Sequence, residues 1–228
     1  MAHLTGDGAP GDMMGEEVHI DVGGVRLGGH LMVPPNAEGV VAFVHGSGSS
    51  RHSPRNRYVA GVLNEAALAT LLFDLLTVEE ELNRDNVFDI GLLAERLVGV
   101  TAWLESREDV VGLPIGYFGA STGAAAALWA ASVPGVEIAA VVSRGGRPDL
   151  AADRLGAVRS PTLLIVGGRD EVVLDLNLAA QRELRCESEL RIVPEATHLF
   201  EEPGALSMVA DFARDWFTWH FERHATRS

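Results

Sequence analysis

The residues with the clearest capacity for chemistry are a serine, an aspartate and a histidine spread over the second half of the chain. Ser121 lies between two glycines in Gly119-Ala120-Ser121-Thr122-Gly123, directly after an apolar run and directly before a stretch of alanines. A serine hydroxyl becomes a useful nucleophile only when a base takes its proton and an acid holds that base in orientation. Asp170 follows the apolar run PTLLIV within GGRDE, and His198 follows ELRIV within PEATHLF, so both stand just beyond strand ends. Serine, then acid, then histidine is the chain order of one architecture for acyl transfer.

Competitors exist for each role. Glu171 adjoins Asp170 and ranks second, because its side chain should point elsewhere; Asp74 ends an earlier strand but precedes the serine. His220 and His224 fall in or after the last helix and read as surface residues, whereas His45 ends a strand and reads as structural. The plain alternatives are a glycine-rich turn at 119–123 and an exposed loop histidine at 198. A phosphate-binding turn fits less well, since neither the Gly-Lys-Ser/Thr ending nor the three-glycine dinucleotide spacing is present.

A tetrahedral intermediate needs hydrogen-bond donors for its oxyanion. Thr122 offers the backbone N–H after the nucleophile, and the loop HGSGSS after the run VVAFV offers a second, from Ser47 or from Gly48. Arg51, Arg55 and Arg57 follow that loop, and Arg144 and Arg147 follow a later strand. They could hold a substrate carboxylate, since the guanidinium fork suits that group, with Arg55 and Arg144 as the named candidates. Pairing with Asp74 or Glu79–Glu81 is the plainer role.

These groups need a frame. Segments 16–22 and 25–33 alternate in polarity and meet at Gly23-Gly24, the pattern of a hairpin. From residue 39 the runs GVVAFV, ATLLFDL, PIGYFG, VEIAAVV, PTLLIVG and ELRIVP are short and nearly continuous, as strands buried on both faces require. Segments 88–106, 122–132, 175–185 and 205–222 carry helical periodicity. Strand alternating with helix predicts an α/β domain with a mostly parallel sheet covered on both faces. The turn around Ser121 is then a strand-to-helix junction, where glycines at 119 and 123 remove collisions and the helix N-terminus favours negative charge. Fewer than 20 residues separate 136–142 from 161–167, too few for a large cap. The segment 76–87 could cover part of an otherwise open site.

Length and composition agree. The chain has 228 residues, 47% of them hydrophobic, which suits one domain over 16–228 after a tail at 1–15. A net charge of -14 speaks against a nucleic-acid partner, and all 18 basic residues are arginine. Cys186 is the single cysteine, so no internal disulfide can form and a cytoplasmic location is expected. The opening segment lacks the parts of a secretory signal, and no apolar run reaches the roughly 18 to 20 residues a membrane span needs.

Taken in order, HGSGSS, GASTG, VGGRD and PEATHLF resemble the α/β-hydrolase superfamily, with closest similarity to small, capless dienelactone-hydrolase-like proteins over residues 16 to 222. The resemblance implies an α/β-hydrolase fold, a three-layer sandwich around about eight strands. It also implies a Ser121–His198–Asp170 triad, an oxyanion hole from the backbone of Ser47 and Thr122, and no metal or organic cofactor. Dienelactone hydrolases carry cysteine where this chain has Ser121, so the lactone substrate is not carried over. The stretch from Ser50 to Leu76 is similar to domains found joined to a phosphoribosyltransferase domain; no such segment is expected within these residues. The expected activity is a serine esterase acting on a small ester, as monomer or homodimer. Alternatives are a thioesterase, amidase or acyltransferase with the same triad, or a non-catalytic binding protein.

Overall fold

A computed structural model of the chain describes residues 15–226. The tail expected at 1–15 lies almost wholly outside the described residues. Eight strands form one sheet in the order β1-β2-β4-β3-β5-β6-β7-β8: β1 Glu16–Val22, β2 Val25–Met32, β3 Gly39–Val44, β4 Leu68–Phe73, β5 Ile115–Ala120, β6 Ala140–Arg144, β7 Thr162–Gly167 and β8 Ser188–Val193. Only β2 opposes its neighbours. β1 and β2 pair antiparallel from Glu16 opposite Leu31 to Val22 opposite Val25, and β2 pairs antiparallel with β4. The hairpin closes on Gly23 and Gly24, both at positive φ (57° and 80°), the conformation whose twist matches that of paired strands. All other ladders are parallel.

Parallel strands buried on both faces need helices on both faces. Helices α1 (Pro54–Glu65) and α8 (Ala205–Ala225) cover one side, where Phe43, Phe118, Leu63, Phe217 and Phe221 pack together. Helices α4 (Ile90–Glu105), α5 (Thr122–Ala131) and α7 (Glu171–Glu183) cover the other, over Val44, Leu71, Tyr117, Val141 and Leu164. Two short helices, α2 (Val78–Glu81) and α3 (Arg84–Phe88), fill the segment between β4 and α4, and α6 (Ala152–Leu155) follows a 3-10 turn at Pro148–Ala151. No large cap interrupts β6 and β7.

The chain leaves β3 in one direction toward β4 and then returns to place β5 on the other flank of β3. At that reversal two adjacent loops diverge from the carboxyl ends of their strands and open a crevice, which is where open α/β sheets bind ligands. Here the two loops are 45–50 and the turn at Ser121. No helix among the described residues is long and apolar enough to cross a membrane.

Candidate active site

The turn from β5 into α5 is as tight as its glycines suggest. Ser121 caps α5 with φ 52° and ψ -120°, a strained setting for a residue with a side chain. A Cβ on Gly119 would come within 2.5 Å of the Ala124 Cα, and one on Gly123 within 2.1 Å of the Val44 carbonyl oxygen. The Ser121 N–H donates to the Arg144 carbonyl (3.2 Å) and the Ser121 carbonyl accepts from the Arg147 N–H (3.1 Å), so the strained residue is clamped to the loop after β6.

That loop also seats the histidine. A Cβ on Gly145 would lie 3.4 Å from the His198 Cε1 and Nδ1, so the imidazole rests against the residue next to Ser121's own hydrogen-bond partner. His198 Nδ1 is 2.6 Å from Asp170 Oδ2. An ionised carboxylate only accepts, so Nδ1 carries the proton and Nε2 of the neutral ring is left as an acceptor. The loops bearing the two residues are knitted together: the Gly168 N–H donates to Val193 O (2.8 Å) and the Arg169 N–H to Ala196 O (2.9 Å). The Asp170 side chain is mostly buried, at 16% exposure, whereas Glu171 opens α7 and faces solvent. Buried Asn177 of α7 donates to the Gly146 carbonyl (3.0 Å) and fixes the β6 loop from below.

On the other flank, a Cβ on Gly46 would sit 3.0 Å from the Ser121 Cβ, so the loop after β3 abuts the nucleophile position. Gly48 stands in this loop at φ 71°. The structure gives the Ser47 N–H a partner that the sequence does not reveal: it donates to Thr122 Oγ1 at 2.8 Å. His45 is buried beneath the loop, its Nε2 accepting from the Leu75 N–H (3.2 Å) and its Nδ1 donating to Gly46 O (3.0 Å). Leu75, Leu76, Val87 and Leu93 line a small cavity of about 160 Å³ beside this loop, and α2 and α3 form its outer wall.

The arginines separate into two kinds. Arg51 binds Asp74 through both backbone and side chain, and Arg147 pairs with Asp149 (2.7 Å), so both have structural partners. Arg55 reaches Glu201 at 3.3 Å. Arg144 has no ion pair among the described residues: it is 9% exposed, and its Nε and one terminal nitrogen are buried with no hydrogen bond to them. Burial, and then the charge of Arg55, push its guanidinium down to about 10. Two expectations need correction. His220 is buried at 5% exposure and stacks on Trp216, rather than lying on the surface, because α8 turns this side chain inward toward the ends of β7 and β8. The strand expected from residue 136 begins only at Ala140.

A cavity of about 920 Å³ lies at the amino ends of β6, β7 and β8, away from Ser121, and Arg159, Arg185, Arg223 and His220 are among its walls. Arg223 stands in the last turn of α8, where a cation offsets the helix dipole, and Arg185 follows the C-cap of α7. Their placement is explained without a ligand. Among the described residues no group of three or more His, Cys, Asp or Glu side chains is arranged to hold a metal ion.

No protein-family model matches the chain. A solved structure named as dienelactone hydrolase from Anabaena variabilis is 56% identical, with a TM-score of 0.87, over 91% of this chain and 99% of that one. The chain belongs to the dienelactone-hydrolase-like family of α/β-hydrolases. Two Mycobacterium tuberculosis proteins, from strains CDC 1551 and H37Rv, are named phosphoribosyl transferases and are each 64% identical over 205 residues. Those residues are 90% of this chain and 46% of each relative, so the chain spans about half the length of the curated relatives it matches. Est1E of Butyrivibrio proteoclasticus shares the fold, with a TM-score of 0.78 at 17% identity over 90% of this chain and 99% of that one. Membership in this family marks the chain as hydrolase-like; the mycobacterial name adds nothing about this half.

Proposed function

We propose that this dienelactone-hydrolase-like protein is a serine hydrolase that cleaves carboxylic esters of small substrates through an acyl-enzyme. The observation that carries the reading is the 2.6 Å bond between His198 and Asp170, built against Gly145 beside the backbone clamp of Ser121. In the first step His198 Nε2 takes the Ser121 proton as the hydroxyl oxygen attacks the ester carbonyl. Asp170 holds the ring in the required tautomer and stabilises the imidazolium. The imidazolium then protonates the departing alcohol. Water, activated by the same ring, releases the acid and restores the serine. The N–H of Thr122, in the first turn of α5, is the donor assigned to the developing negative charge, with the helix dipole behind it.

The absence of a cap between β6 and β7 and the 160 Å³ cavity support small acyl groups. Arg144 favours a narrower class, esters that also carry an acidic group, because its unpaired guanidinium lies one strand from the nucleophile turn, opposite Ala120 in the sheet register. Replacing Ser121 with alanine tests the assignment. Turnover of 4-nitrophenyl acetate should fall at least about ten-thousandfold, and labelling by a fluorophosphonate should vanish, with the circular dichroism spectrum unchanged. Activity retained by the alanine variant would end the proposal.

A further inference from the structure

A threonine hydroxyl is one donor and two acceptor positions. Thr122 Oγ1 already accepts the Ser47 N–H at 2.8 Å, a contact bridging residues 75 apart in the chain. Its own hydrogen has no acceptor among the described residues, although Thr122 is only 5% exposed. The backbone N–H of the same residue also lacks an acceptor, as the first N–H groups of a helix do. In any threonine the hydroxyl oxygen and the backbone nitrogen are three bonds apart through Cα and Cβ, so both unused donors of Thr122 lie in one neighbourhood. That neighbourhood adjoins Ser121 in sequence and the oxyanion loop in space. Conversely, the Ser47 N–H expected to hold the oxyanion is engaged.

We infer that the oxyanion is held by the backbone N–H and the side-chain hydroxyl of Thr122, and that the Ser47 N–H serves to orient that hydroxyl. The inference rests on the hydrolase reading above. An N–H donated to Oγ1 withdraws one lone pair and leaves the hydroxyl hydrogen to turn toward the crevice. It also polarises the O–H bond, making it a stronger donor where charge appears. Ground-state ester offers a weakly basic carbonyl and the tetrahedral intermediate offers a full negative charge. The hydroxyl therefore contributes more to the transition state than to substrate binding.

The test compares Thr122→Val, which keeps the shape and removes the hydroxyl, with Thr122→Ser, which keeps it. With 4-nitrophenyl acetate, Thr122→Val should lose about a hundredfold or more in kcat with KM within about twofold, as deletion of one oxyanion donor does elsewhere. Thr122→Ser should stay within about fivefold of the parent. The rate at which a fluorophosphonate labels Ser121 should fall in parallel with kcat, since phosphonylation also develops charge on an oxygen. Matching circular dichroism spectra of the three proteins would exclude misfolding as the cause. A kcat of Thr122→Val within threefold of the parent, or a Thr122→Ser as damaged as Thr122→Val, overturns the inference alone. Absence of both turnover and labelling in the parent protein overturns the hydrolase assignment and this inference with it.

Discussion

Arg144 is the residue most at odds with its surroundings. A charged side chain with buried nitrogens and no counter-ion among the described residues is costly, and the protein meets that cost partly by weakening its affinity for the proton. The folded-state value, about 10, is well below the ordinary one for a guanidinium, so the charged form is disfavoured by folding. The destabilisation is therefore fully present below about pH 10 and is relieved as pH rises above that value toward the ordinary range of a guanidinium. Replacing Arg144 with methionine should raise stability at pH 7 by about 1–3 kcal/mol, read from the urea midpoint. The same change should reduce the preference for an acidic ester over its neutral analogue by about tenfold or more. A midpoint and a preference both unmoved would remove Arg144 from the substrate site. Sequence alone marks this arginine as a candidate but cannot show that it is unpaired, because pairing depends on which carboxylates the fold brings near. His220 illustrates the reverse failure. A polar residue near a helix end looks exposed until the inward face of α8 is known.

At the level of elements, the glycines of the nucleophile turn are where sequence and packing agree most closely. A Cβ at Gly123 would meet two backbone oxygens, of Val44 and His45, at 2.1 and 2.4 Å. Neither can rotate away, so β3 and the loop after it must shift. Gly123→Ala should lower stability by about 2–4 kcal/mol and displace the oxyanion loop, with a corresponding loss of esterase rate. Gly61 in the middle of α1 is the contrast, since nothing lies within 4 Å of its Cβ position and its φ is ordinary. There the same substitution should stabilise slightly, by up to about 1 kcal/mol. Similar denaturation midpoints for the two variants would show that the turn is not sterically closed. The strands were legible for a related reason: runs buried on both faces leave continuous apolar sequence, and β3, β4, β5 and β7 are buried along their whole length. β6 was overextended at its start because Ile138 and Ala139 are buried before they join the ladder, and apolar composition does not separate the two states. Helix α1 was unread despite its Ser53 cap and Pro54 at the first position, since its apolar residues are few and α8 supplies the partner face. The covering segment 76–87 carries no clear helical period in its sequence. It contains two short helices, the first closed by a reciprocal Thr77–Glu80 cap.

For the molecule as a whole, fold and charge act on the substrate at different distances. The reversal of strand order between β3 and β5 brings together loops more than 70 residues apart, and the candidate site follows from that topology as much as from any motif. The net charge of -14 acts over a longer range and opposes the local effect of Arg144, because an acidic ester is repelled by the protein before it reaches that buried cation. Mobile ions screen the first interaction strongly and the second weakly, since the Debye length falls from about 30 Å at 0.01 M salt to about 8 Å at 0.15 M while a buried contact is little screened. Raising ionic strength over that range should therefore increase kcat/KM for 4-nitrophenyl hemisuccinate about two- to fivefold, and leave 4-nitrophenyl butyrate within about twofold. Steady-state rates on the two esters across a salt series provide the measurement. A decrease for the hemisuccinate would mean that the crevice mouth is positive at long range despite the net charge, and that arginines beyond Arg144, with Arg55 foremost, govern approach to the site.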